Sequence, residues 1–160
     1  MRLLWFSAIF AFAVDQISKY LVFSWFARVS RDLIEIFPPL LVFRRGMNRG
    51  VNFGLFANSS DLHRWVLIIL SAGLCFLLWL WARRSFQTPV EFVGAGLVIG
   101  GALGNVADRL WLHGVRDFLN MSCCGFQNPY VFNVADVFIF TGALMLVLFG
   151  GKKQAGKMPS

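Results

Sequence analysis

Four long apolar segments divide this chain, and they constrain its fold more than any other feature. They cover residues 3–26, 65–81, 90–112 and 134–149. Each is about as long as an α-helix needs to cross about 30 Å of hydrocarbon, and the second and fourth are the shortest. The sequence therefore predicts an all-α membrane protein, built as a bundle of four transmembrane helices.

The composition agrees with a chain whose solvent is the bilayer. Of its 160 residues, 58% are apolar and 14% are charged, which is too apolar for an ordinary soluble domain. We predict one polytopic membrane domain over residues 1–160. The net charge is +7, but the basic residues flank the apolar segments, where anionic lipid headgroups attract them. The expected partners of this charge are membrane lipids and not nucleic acid.

The connection between the first two spans, residues 27–64, is far longer than a simple turn. Residues 40–43, which follow two prolines, predict a short strand, and residues 58–61 have the composition of a helix N-cap. Because of its length, we expect this insert to contribute to function.

The three cysteines do not indicate a metal site. Cys75 lies inside an apolar segment, and Cys123 and Cys124 are adjacent, with no histidine in ligand register. We therefore expect neither a bound metal nor a required disulfide.

Topology places the polar residues of the spans on one side of the bilayer. In a four-span protein the end of the first span, the end of the third and the start of the fourth share a side. The residues found there, together with those of the adjoining loops, are Asp15, Lys19, Asn48, Gly54, Asn105, Asp108, Arg109, Asp117, Asn133 and Asp136. A charged side chain near the bilayer centre costs about 2.5 kcal/mol or more, so such residues face protein or water and are candidates for function.

Some of these features also have a structural explanation. Asp15 and Lys19 stand one helical turn apart and could simply neutralise each other. We favour a structural role for Lys19 and leave both possibilities open for Asp15. Gly96, Gly100 and Gly104 form a stripe, thickened by Gly101, that favours close helix packing and leads into Asn105 and Arg109.

The tetrapeptide Asn-Val-Ala-Asp occurs twice, at residues 105–108 and 133–136. In a helix the Asn and Asp of each copy would share a face. An asparagine there can hold a carboxylate or a substrate backbone, whereas an unpaired amide in lipid is costly. A functional role is favoured for both pairs, but the residues alone do not select a catalytic group among Asp15, Asp108, Asp117 and Asp136.

Five blocks of the sequence, in order, resemble bacterial lipoprotein signal peptidase, the type II signal peptidase. The blocks are Asp15-Gln16 with Lys19, residues 48–54, residues 100–105 with Asp108 and Arg109, residues 114–118, and residues 132–136. The resemblance covers nearly the whole chain. It implies four transmembrane helices in the bacterial inner membrane with both termini in the cytoplasm. It also implies a small extracytoplasmic β-sheet and a membrane-lying helix, both built from the first loop.

The same resemblance implies an aspartyl endopeptidase that cuts prolipoproteins just before a lipid-modified cysteine. It makes Asp117 and Asp136 the catalytic pair. It places Asn48, Asn105, Arg109 and Asn133 around the site, with Asp15, Lys19, Gly54 and Asp108 as further supporting residues. It implies a monomer that needs no metal or organic cofactor.

Two other functions are compatible with intramembrane polar residues. The first is a small ion- or proton-coupled transporter. It is disfavoured because the polar residues lie toward one side and because the sequence lacks matching halves with broken helices. The second is a scaffold subunit, in which the glycine stripe binds another membrane helix.

Overall fold

A computed structural model describes residues 1–50, 60–123, 125 and 128–150, with the backbone alone at residue 60. The helices are α1 (Arg2–Val29), α2 (Ser60–Ser85), α3 (Pro89–Leu112) and α4 (Val134–Phe149). The strands are β1 (Leu33–Phe37), β2 (Leu41–Asn48) and β3 (Val115–Asn120). The prediction of a helix at each apolar segment is confirmed. Gly54 lies outside the described residues.

Helix α2 is longer at both ends than its apolar segment predicted. Its first turn contains Asp61 and its last turn contains Arg83 and Arg84. An acidic residue near the N-terminus and basic residues near the C-terminus complement the helix dipole. The polar ends are therefore helical although hydropathy alone excludes them.

Three of the four helices are long and apolar enough to cross a membrane, judged by length and composition. These are α1, α2 and α3, with 24 to 28 residues each by their bounds. Helix α4 begins and ends where the sequence predicts, but its 16 residues extend only about 24 Å. Within the described part of the chain, three of the four predicted spans are therefore long enough to cross a membrane. The fourth, α4, is a shorter apolar helix.

Helix α3 lies at the centre and packs against each of the other three helices. Gly100 allows this approach on one face, because a Cβ there would overlap the carbonyl oxygen of Ala8 in α1. Gly101 does the same on another face, where a Cβ would lie 2.6 Å from the carbonyl oxygen of Ala135 in α4. The predicted stripe of Gly96, Gly100 and Gly104 therefore faces one helix, α1, whereas Gly101, which was expected to thicken that stripe, faces α4.

The three strands form an antiparallel sheet in the order β1-β2-β3. The sequence predicted a sheet built from the first loop, but β3 comes from the connection between α3 and α4. Gly46 of β2 pairs with Asp117, and Asn48 pairs with Val115. Residues 30–50 contain strands and turns, and the predicted membrane-lying helix stays a prediction because residues 51–59 lie outside the described part of the chain.

An aromatic cluster fastens the sheet to the C-terminal part of α1. Phe118 is buried against Val22 and Phe26, and its ring meets that of Phe43 edge to face at 5.4 Å. Such aromatic packing contributes both buried area and a defined ring geometry. It holds β3, and with it Asp117, above the end of α1.

Candidate functional site

Asp117 is the most buried acid of the sheet. Its side chain is 3% exposed, and Oδ1 accepts a hydrogen bond of 2.6 Å from Nδ2 of Asn133. Burial raises the pKa of Asp117 from 3.8 to about 6. Hydrogen bonds from Asn133 and Asn48 oppose this change, and the negative charge of Asp136 adds to it. Asn48 thus reaches the site that the sequence predicted for it.

Asp136 lies in the first turn of α4 and forms a capping box with Asn133. The backbone N–H of Asp136 donates to Oδ1 of Asn133 at 3.1 Å, and the backbone N–H of Asn133 donates to Oδ2 of Asp136 at 3.1 Å. The remaining oxygen, Oδ1 of Asp136, accepts from Nδ2 of Asn105 at 3.0 Å. Both oxygens of this half-buried carboxylate are therefore held in place.

Asn133 joins the two aspartates. Its amide caps α4 next to Asp136 and donates to Asp117, and its side chain is completely buried. A second bond of 3.2 Å runs from its Nδ2 to Oδ1 of Asn105. One asparagine side chain consequently fixes two acids that stand on different elements, a strand and a helix.

Arg109 supplies positive charge beside this pair. Its Nη1 donates to the carbonyl oxygen of Asn105 at 3.3 Å, and its charge interacts with those of Asp117 and Asp136. Its Nε is buried and has no hydrogen-bond partner among the described residues.

A second group of charged side chains lies next to Asp117, Asp136 and Arg109, and it is linked to Asp136 through Asn105. Nζ of Lys19 lies 2.7 Å from Oδ2 of Asp15 and 3.2 Å from Oδ2 of Asp108, and all three side chains are no more than 1% exposed. Asp108 also accepts from Nη2 of Arg116 at 2.7 Å. Gln16 donates to Asp15 at 3.1 Å and accepts from Arg116 at 3.1 Å. This group, called here the buried ion cluster, balances two acids with two cations.

The structure brings together the predicted site residues that it describes. The predicted pairing of Asp15 with Lys19 is confirmed. In both Asn-Val-Ala-Asp copies the asparagine holds a carboxylate, but the two copies are not equivalent. Asn105 bonds to Asp136 of the second copy, because Asp108 faces Lys19 and Arg116 instead.

Sequence reasoning did not single out two members of the buried ion cluster, Gln16 and Arg116. A signal for Arg116 was present in the charges. Asp15 and Asp108 are two intramembrane acids, Lys19 is one cation, and burial of an unpaired charge is costly. The nearest unassigned base in the sequence, Arg116, supplies the balance.

A sequence model of the family described as "Signal peptidase (SPase) II" matches residues 7–150. The chain belongs to this signal peptidase II family. A relative named "Lipoprotein signal peptidase" from Rhizorhabdus wittichii is 37% identical over 151 residues, covering 92% of this chain and 84% of the relative. Another of that name from Aeromonas hydrophila is 37% identical over 160 residues, covering 98% and 92%.

Two solved structures share the fold of this signal peptidase II family member. Both are titled as bacterial membrane enzymes and are 24% identical to it. One has a TM-score of 0.74 and covers 96% of this chain and 93% of its own. The other has a TM-score of 0.78 and covers 93% and 92%. The chain is therefore a peptidase of the bacterial membrane, and these relatives give no support to the transporter alternative.

Proposed function

We propose that this protein is an aspartyl endopeptidase that removes the signal peptide from lipid-modified prolipoproteins. The cut falls before the diacylglyceryl-modified cysteine, and Asp117 and Asp136 are the catalytic pair. The family and the names of the relatives support the substrate class. The observation that carries the assignment of the pair is the side chain of Asn133, which is bonded to Asp117 and caps the turn of Asp136.

The two pairs of acids differ in charge balance and in access. Asp15 and Asp108 are sealed from solvent and are neutralised by Lys19 and Arg116. Asp117 and Asp136 both interact with the charge of Arg109, and Asp136 is only half-buried. Two neighbouring carboxylates do not readily ionise together, so a state with one shared proton is favoured. That state and the partial exposure suit acid-base chemistry on an entering substrate.

In the proposed mechanism the two aspartates share this proton and activate one water molecule. The ionised carboxylate accepts a proton from the water molecule, and the oxygen of that water attacks the scissile carbonyl carbon. The protonated carboxyl hydrogen-bonds the carbonyl oxygen and then supplies a proton to the departing amine. Burial raises the pKa of Asp117 to about 6, which supports Asp117 as the member that holds the proton first. The titration itself belongs to the pair.

Acid-base catalysis contributes about 10² to 10⁴ in rate, less than the 10⁶ or more that enzymes typically provide. Fixed geometry must provide the rest. Asn105 and Asn133 hold the carboxylate oxygens at 2.6 to 3.1 Å. The charge of Arg109 interacts with both acids. Donors fixed before the reaction are effective in a site of low dielectric.

The proposal includes a membrane arrangement with four spans. Both termini lie in the cytoplasm, and the site lies at the extracytoplasmic face of the inner membrane. Large apolar side chains on the outer faces of the helices support burial in lipid: Phe6, Ile9, Ile69, Phe140 and Val147 are 68% to 78% exposed. The start of α4 at the site supports a position near one membrane surface, because a spanning helix begins near the edge of the hydrocarbon. In this proposal the protein acts as a monomer.

The decisive test is cleavage of a lipid-modified prolipoprotein by the purified protein. Wild type should release the signal peptide with a single cut before the modified cysteine, as read by mass spectrometry. Asp117→Asn and Asp136→Asn should each reduce turnover by at least about 10³-fold while keeping the helical circular dichroism spectrum. The same precursor without the diacylglyceryl group is the matched substrate control and should be cut poorly. Near-normal turnover by either variant would refute the catalytic assignment.

A further inference from the structure

Each proposed catalytic aspartate follows a residue whose backbone N–H is held by a buried carboxylate. The N–H of Arg116, which precedes Asp117, donates to Oδ2 of Asp108 at 3.0 Å. The N–H of Ala135, which precedes Asp136, donates to Oδ1 of Asp15 at 2.9 Å. The main chain at both catalytic positions is thus bound to the buried ion cluster, once from α3 and once from α1.

Lys19 connects these two backbone contacts. Its Nζ lies 2.7 Å from Oδ2 of Asp15 and 3.2 Å from Oδ2 of Asp108. An ammonium group has three protons and no acceptor. Lys19 donates a hydrogen bond to Asp15 and forms an ion pair with Asp108, and these are the carboxylates that hold the main chain before Asp136 and before Asp117.

Lys19 also contacts Asn105, the residue whose amide holds the side chain of Asp136. Nζ donates to Oδ1 of Asn105 at 3.0 Å. Because this oxygen faces a cation, the amide of Asn105 is oriented with Nδ2 toward Asp136, to which it donates at 3.0 Å. A reversed amide would place its NH₂ group against the ammonium and its oxygen against the carboxylate of Asp136.

We propose that Lys19 is a positioning residue that sets the relative placement of the Asp117 and Asp136 carboxylates. It fixes the strand before one aspartate, the helix start before the other, and the amide that holds Asp136. An ion pair with Asp15 alone would neutralise the charge, whereas Lys19 also contacts Asp108 and Asn105. This inference rests on the proposed function of the pair and adds a separate role behind it.

The test removes the connection while keeping the buried charge balanced. In the double variant Asp15→Asn with Lys19→Met, Asp108 remains paired with Arg116. The new amide oxygen can still accept from the N–H of Ala135. The matched control is Glu91→Ala, which breaks a buried capping box at the opposite end of α3. Turnover, KM and thermal unfolding are measured for wild type, both variants and Asp136→Asn.

If Lys19 positions the pair, the double variant loses about 10- to 100-fold in kcat, because small displacements of catalytic groups have effects of this size. Its KM should stay within about threefold of wild type, since Lys19 lies behind the acids and does not face the substrate. The Glu91→Ala variant should lose thermal stability and keep its kcat. A folded double variant with kcat within twofold of wild type overturns the inference, and so does an equal loss of kcat in Glu91→Ala.

If the double variant does not fold, Lys19→Arg decides the question. Arginine keeps the charge but has no single nitrogen that can donate to three acceptors. A folded Lys19→Arg variant should therefore have a kcat at least fivefold below wild type. Wild-type kcat in that variant, or failure of both variants to fold, overturns a positioning role. An active Asp136→Asn variant would refute the proposed function itself, whatever the Lys19 variants do.

Discussion

Replacement of Asp117 by asparagine should make the protein more stable while it abolishes cleavage. The side chain is 3% exposed, and burial raises its pKa from 3.8 to about 6. A carboxyl whose pKa is higher in the folded state binds its proton more tightly there than in the unfolded chain. Ionisation of Asp117 therefore opposes folding, and a neutral isostere removes this cost.

The pH dependence follows from the same two values. Below about pH 4 the acid is protonated in both states, and the substitution should have little effect on stability. As pH rises from about 4 to 6 the penalty on the wild-type protein grows, and above about pH 6 it is constant. The difference between the two pKa values, 3.8 and about 6, sets an upper limit on the free energy of unfolding that Asp117→Asn gains. At pH 7 this limit is about 3 kcal/mol. At pH 5 the expected gain is about half of that.

The assay is thermal unfolding of the detergent-solubilised protein at several pH values from 4 to 8. The Tm of Asp117→Asn should exceed that of wild type by several degrees at pH 7, and the difference should shrink toward zero near pH 4. The control is Asp32→Asn, because the side chain of Asp32 is 80% exposed and pairs with Arg45 only at 3.5 Å. That variant should have the Tm of wild type throughout. A lower Tm for Asp117→Asn at pH 7, or a difference independent of pH, would refute the reasoning.

Three further substitutions test the site and the packing. Asn133→Ala removes the helix cap and the donor to Asp117; it should cost about 1 kcal/mol of stability, and kcat should fall about 10²-fold while KM changes little. Asp15→Ala leaves the buried Lys19 with one carboxylate fewer and should cost about 3 to 5 kcal/mol in denaturant unfolding; an unchanged midpoint would contradict a role in the cluster. Gly100→Ala should cost about 1 to 3 kcal/mol because its Cβ overlaps α1, whereas Gly73→Ala, with open space around it, should be neutral or slightly stabilising; equal midpoints for the two would contradict the packing argument.

Some parts of the site could be predicted from the residues because they depend on local rules. Charges inside apolar segments are costly, so the polar residues of the spans were recognisable as candidates. Chain topology placed the end of α1, the end of α3 and the start of α4 together. The hydrogen bonds from Lys19 to Asn105 and from Asn105 to Asp136 join these elements.

Other parts depend on pairings between distant residues. The partner of Asp117 in the sheet is Gly46, far away in the chain, and neither residue carries a pattern that specifies the other. The repeat at 105–108 and 133–136 suggested two equivalent helical pairs, but Asn133 lies before its helix as a cap, whereas Asn105 lies inside α3. Identical tetrapeptides thus have different roles because one begins a helix and the other continues one.

The sequence by itself determined the positions of the four helices and the set of residues from which a polar site could be built. Both follow from hydrophobicity, which is a property of each segment taken alone. Only the tertiary structure decided which acids form ion pairs with Lys19 and Arg116 and which acid, Asp136, stays half-exposed. It separated Asp15 and Asp108, sealed with Lys19 and Arg116, from Asp117 and Asp136 beside Arg109. The physical reason is that charge balance and exposure depend on distances between elements, which local patterns do not contain.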